Sequence, residues 1–132
     1  MKLLGIDFGK RKIGLSVSDG KLAEPYKVIR FKSEREAVER IKTISKTLCI
    51  EKVVIGLSEG EMAKKTENFA EKLEKYLGKR VYFQDETLTT HEAKFLSKEA
   101  GIKRKKRKAL EDAYSATLIL QAYIDDEKSC RE

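Results

Sequence analysis

With 132 residues, 40% hydrophobic and 39% charged, the chain has the length and apolar content for one domain with its own core, and too little for an enzyme of two lobes. That apolar share excludes an intrinsically disordered chain, and eight Gly with one Pro exclude a collagen-like one. The 29 Lys and Arg against 22 Asp and Glu leave a formal +7, of which the run Lys103, Arg104, Lys105, Lys106, Arg107, Lys108 supplies six, so the basicity is a local patch, suited to a polyanion or else a solvated loop or localisation-like tract.

Leu3 to Ile6 is an apolar run ended by Asp7-Phe8-Gly9, and Ile13, Leu15 and Val17 alternate with Gly14, Ser16 and Ser18 before an Asp19-Gly20 turn. This pattern predicts two strands joined by a tight basic turn. After Pro25, alternation over Tyr26 to Phe31 predicts a third strand, completing a meander. Ser33 with Glu36 makes a capping box, and Ala37, Ile41, Ile44 and Leu48 recur at helical spacing. The continuous apolar run Val53 to Leu57 marks a strand covered on both faces, as in a parallel sheet.

Glu67 to Leu77 gathers Phe69, Ala70, Leu73, Tyr76 and Leu77 on one stripe, with Gly78 as a C-cap, and predicts a second helix. Val81 to Gln84 follows as a fifth strand. Thr89 or Thr90 then caps a third helix running to Ala100, and Ala109 to Asp126 is a last one. This order predicts an α/β fold: a mixed five-stranded sheet, a three-strand meander plus parallel strands, with helices on both faces. Residues 1–132 are read as one domain with a short charged C-terminal tail.

Cys49 and Cys130 are spaced for neither a disulfide framework nor a zinc site, which fits a reducing cytoplasm. The N-terminal stretch meets Asp7 too soon for a signal peptide, and no run has the length of a membrane span. A cytoplasmic protein with no membrane partner is expected.

Acids stand at the strand ends. Asp7 closes the first strand, where it serves either an Asx turn or a site at the sheet's end. Asp85 and Glu86 close the fifth, one directed to each face, with capping of the following helix as the alternative. Asp112 shares a helix face with Ala109, Ala116, Ile119, Leu120 and Tyr123, a stripe on which a carboxylate needs a partner. Its neighbour Glu111 points elsewhere and suits the first turn of the helix. Three acids from two strand ends and one helix repel one another unless a cation lies among them. Carboxylates without a His or Cys cluster suit Mg2+ or Mn2+ rather than zinc. His91, the one histidine, is read as a polar residue of the third helix's first turn.

The stretch Asp7-Phe8-Gly9-Lys10-Arg11-Lys12-Ile13-Gly14-Leu15-Ser16-Val17-Ser18-Asp19, followed by Val54-Ile55-Gly56-Leu57, Asp85-Glu86-Thr87-Leu88-Thr89-Thr90-His91-Glu92-Ala93 and the tract from Lys105 to Tyr123, resembles the YqgF/RuvX family of Holliday junction resolvase-like proteins. The likeness covers nearly the whole chain, in order and at the expected spacing. It implies a ribonuclease H-like fold. It also implies a nuclease whose catalytic and metal-binding acids are Asp7, Glu86 and Asp112, with Asp85 as an alternate ligand or a group behind the ligands. Two substrate classes come with it, four-way DNA junctions and the 5′ end of precursor 16S rRNA in ribosome biogenesis. Two positions depart from the family pattern: Thr87 stands where Arg is usual, removing a fixed guanidinium from the site, and Ser58 stands where Pro is usual.

The expected activity is metal-dependent hydrolysis of nucleic-acid phosphodiester bonds. Lys10, Arg11 and Lys12 adjoin Asp7, and the run from Lys103 to Lys108 leads into the helix of Asp112, so both clusters are expected on backbone phosphates. A nucleic-acid-binding module without catalysis, acting in rRNA maturation or transcription, is the alternative. Asp-x-Gly after a first strand also opens the phosphate loop of actin-like and sugar-kinase phosphotransferases, but those close two lobes over ATP. With 8% aromatics and no Trp, stacking on single strands is a poor explanation of binding. A monomer and a homodimer both fit, the latter suiting a symmetric two-strand cut.

Overall fold

The structure is a computed structural model that describes residues 1–57, 60–85 and 111–131, with the side chains of the last stretch described as far as Glu127. Strands β1 (Leu3–Phe8), β2 (Lys12–Ser18) and β3 (Ala23–Arg30) form the expected antiparallel meander. Helix α1 (Glu34–Thr47) leads to β4 (Lys52–Leu57), and α2 (Glu61–Leu77) to β5 (Val81–Asp85). Both β4 and β5 run parallel to β1, giving the sheet order β3-β2-β1-β4-β5. A long helix, here α3 (Glu111–Arg131), ends the described chain. The third helix expected over 89–100, with His91, and positions Ser58 and Thr87 lie outside the described residues.

The pleat sorts the core into two layers. Leu4, Ile6, Phe8, Ile13, Leu15, Val53 and Ile55 meet Ile41, Phe69 and Leu73 of α1 and α2 on one face. Leu3 and Val54 meet Ile119, Leu120, Tyr123 and Ile124 of α3 on the other. The Ser33 hydroxyl accepts from the Glu36 amide, as the capping box requires. Gly78 closes α2 in the left-handed region at φ 67°.

Two elements start three or more residues before the positions read in the sequence, and α3 runs on to Arg131, past the expected end at Asp126. The third strand begins at Ala23, so Pro25 lies inside it, paired with Ser16 beside a register shift. Proline is tolerated there because β3 is an edge strand and the ladder is interrupted beside it. Helix α2 starts at Glu61, six residues before the predicted start, from Gly60 at φ 78°, with no side-chain cap to mark it. Thr66 is buried in its second turn, its hydroxyl donating to the Met62 carbonyl at 2.7 Å. No helix among the described residues is long and apolar enough to cross a membrane.

Candidate active site

Helix α3 lies against β1 and β2 through glycine. A Cβ built on Gly14 would fall 1.9 Å from the Asp112 carbonyl oxygen, and one on Gly5 would fall 2.9 Å from that of Ala116 and 2.8 Å from the Leu120 Cβ. Such distances are far inside van der Waals contact, so the helix rests on bare backbone at both positions. The buried Ser16 hydroxyl, opposite Gly5 in the register, donates to the Ala116 carbonyl at 2.7 Å and fixes the helix along its axis.

Gly14 pairs with Asp7 across the β1–β2 ladder. Seating the first described turn of α3 on Gly14 therefore brings Asp112 beside the end of β1, where Asp7 is half-buried. On the opposite face Phe8 stacks on Phe69 at a centroid distance of 4.4 Å and lies 6.1 Å from Phe31. The strand end that carries Asp7 is thus clamped from below by aromatic rings.

Asp7, Gly9, Lys10, Arg11, Lys12, Arg30 and Asp112 line one pocket of about 560 Å³. Among the described residues its charged lining is two carboxylates and four cations. Lys12 Nζ lies 3.1 Å from Asp112 Oδ2, with side-chain exposures of 49% and 28%. Asp112 therefore sits at the rim of the buried stripe formed by Ala116, Ile119, Leu120 and Tyr123, its carboxylate partnered as that position demands.

Asp85 ends β5 paired with Leu57, in step with Phe83 and Ile55. Strand alternation places it on the face of α1 and α2, whereas Asp7 shares the α3 face with Gly5. By this alternation Asp85 and Asp7 stand on opposite sides of the sheet. Glu86, Ala109 and the run Lys103, Arg104, Lys105, Lys106, Arg107, Lys108 lie outside the described residues. Among the described residues no three His, Cys, Asp or Glu side chains form a metal-binding group.

Arg30 is a lining residue that the sequence reading passed over. It stands opposite Lys12 in the β2–β3 register and reaches the pocket from the edge strand. Its place at the end of an alternating stretch is visible in the sequence, but the cross-strand register that sets it against Lys12 is not.

A five-stranded mixed sheet of this order, with a long helix across the meander and two on the other face, is the ribonuclease H-like fold. Solved structures bear this out: RuvC of T. thermophilus in complex with a Holliday junction substrate matches with a TM-score of 0.65 at 16% identity, covering 98% of this chain and 96% of that one. The fowlpox virus Holliday junction resolvase matches with a TM-score of 0.65 at 12% identity, covering 96% and 99%. The likeness at these identities is one of fold. A model of the RuvX family, described as Holliday junction resolvase, matches residues 1–126, and the chain belongs to that family. A protein of Caldanaerobacter subterraneus subsp. tengcongensis named "Putative pre-16S rRNA nuclease" is 41% identical over 138 residues, covering 98% of this chain and 99% of the relative.

Proposed function

We propose that the chain is a metal-dependent nuclease that hydrolyses phosphodiester bonds in structured nucleic acid. The observation that carries this reading is the seating of α3 on Gly14, which sets two carboxylates from different elements, Asp7 and Asp112, in one pocket rimmed by Lys10, Arg11, Lys12 and Arg30. Family membership and near full-length similarity to a relative bearing a nuclease name support it.

The donor set suits a hard divalent cation. Both placed acids offer carboxylate oxygens, and Asp112 already holds a cationic group in the Lys12 ammonium. Asp7 and Asp112, with Glu86 as the third acid that family membership implies, would hold Mg2+ or Mn2+. Bound there, the ion supplies activation of the attacking water and relief of charge on the leaving oxygen. The chain's own part is to hold the substrate: Lys10, Arg11 and Arg30 engage backbone phosphates around the acids, and the basic run from Lys103 to Lys108 adds further phosphate contacts.

Precursor 16S rRNA is the substrate that the 41% identical relative favours, in the cytoplasm where such RNA is matured. A four-way DNA junction is the second reading, favoured by the description of the family model. The test is cleavage of both substrates by wild type, Asp7→Asn and Asp112→Asn, with and without added Mn2+. Cutting that needs the metal and is lost in both variants is expected, and the substrate cut assigns the class. Cutting that survives in Asp7→Asn would overturn the assignment, and binding of both substrates without cutting would leave a binding module.

A further inference from the structure

Lys12 and Arg30 stand directly opposite each other in the antiparallel β2–β3 pair, and both line the pocket of Asp7 and Asp112. Like charges opposed across two strands destabilise a sheet unless an anion offsets them. Asp112 offsets one of the two, through its 3.1 Å pair with Lys12. Among the described residues Arg30 forms no ion pair with a carboxylate. Its backbone is nevertheless fixed, since the Arg40 guanidinium donates to the Arg30 carbonyl at 2.8 Å and the next amide, of Phe31, donates to the Arg11 carbonyl at 3.1 Å. One cation of the pair is thus occupied, and the other lines the pocket from a fixed stretch of backbone.

We propose that Lys12 is the resting counter-ion of Asp112, and that a divalent cation taking Asp112 releases Lys12 to join Arg30 as a seat for a substrate phosphate. This rests on the reading of Asp112 as a metal ligand. A lysine ammonium on a flexible stem can exchange one anion for another without moving backbone, whereas the planar fork of Arg30 is shaped for two oxygens of one phosphate. Because Lys12 answers to both anions, cation binding and phosphate binding are coupled, and each strengthens the other by the same factor.

The test is equilibrium binding to the full chain. Mn2+ affinity is read by electron paramagnetic resonance, and affinity for a nuclease-resistant 2′-O-methyl RNA hairpin by fluorescence anisotropy, with and without Mn2+. Lys12→Met is expected to bind Mn2+ about fivefold more tightly, the worth of one partly exposed ion pair, and to lose the gain in RNA affinity that Mn2+ brings to wild type. Lys12→Arg is expected to keep that gain. Arg30→Met is expected to weaken RNA binding about tenfold in both conditions while binding Mn2+ as wild type does. Equal Mn2+ affinity in wild type and Lys12→Met would sink the coupling alone and leave the metal reading standing. Unchanged RNA affinity in Arg30→Met would remove the phosphate seat. A wild type that binds RNA but no Mn2+ would overturn the metal reading and the coupling together.

Discussion

Asp112 reaches its carboxylate to the rim of the pocket, where its side chain is 28% exposed and its ion-pair partner Lys12 is 49% exposed. A pair this open to water contributes at most about 1 kcal/mol to folding, since solvent screens it and two side chains must be ordered to make it. Asp112→Asn keeps the shape and loses only the charge. Its unfolding free energy in urea is therefore expected to fall by less than about 1 kcal/mol while cleavage is abolished. A larger loss of stability would mean that Asp112 supports the fold, and the missing cleavage would then say nothing about chemistry. Ser16 presents the opposite case. Its hydroxyl is fully buried and holds the Ala116 carbonyl of α3, so its contribution belongs to the placement of the helix.

Helix α3 and the β1–β2 hairpin form the site only because their backbones touch. Gly14→Ala puts a methyl group 1.9 Å from the Asp112 carbonyl, so the first described turn of α3 must lift away from Asp7. The substitution is expected to cost about 1–3 kcal/mol in chemical denaturation, as overpacking does, and to remove cleavage from a chain that still folds. Wild-type activity in Gly14→Ala would show that the spacing of the two acids does not depend on this contact. The same contact explains what could and could not be read from the residues alone. That Asp7 and Asp112 stand out in the sequence follows from a carboxylate at a strand end or on an apolar helical stripe breaking a pattern, and both line one pocket. Gly14 does not stand out, since a glycine in an alternating strand carries no sign of which helix will cover it. The meander, the parallel strand at Val53 to Leu57, the Ser33 cap and the Gly78 stop were legible because each is set by local chemistry. The starts of β3 and α2 were missed where that chemistry misleads: Pro25 is harmless only on an edge, and Gly60 offers no capping side chain. The sequence leaves open which face Asp85 takes, because that depends on the β4–β5 register, a long-range property.

At the scale of the molecule, charge decides how nucleic acid is held. Six of the formal +7 lie in the run from Lys103 to Lys108, and among the described residues Lys10, Arg11, Lys12 and Arg30 line the pocket of Asp7 and Asp112. Each phosphate neutralised by such a side chain releases condensed counter-ions, which makes affinity fall steeply with salt. With four to ten of these cations engaged, the logarithm of the binding constant for a duplex should fall against that of salt concentration with a slope of about −4 to −9. The side chains of Lys10 and Arg11 are exposed in the turn, and the Arg11 backbone carbonyl, which accepts from Phe31, is untouched by a side-chain change. The double variant Lys10→Gln with Arg11→Gln should therefore fold normally and bring the slope nearer zero by about two, weakening all sequences alike, because phosphate contacts position the substrate without reading it. Titrations at several salt concentrations on two unrelated duplexes decide this. A flat salt dependence, or a loss confined to one sequence, would place recognition in contacts to the bases rather than in this ring of cations.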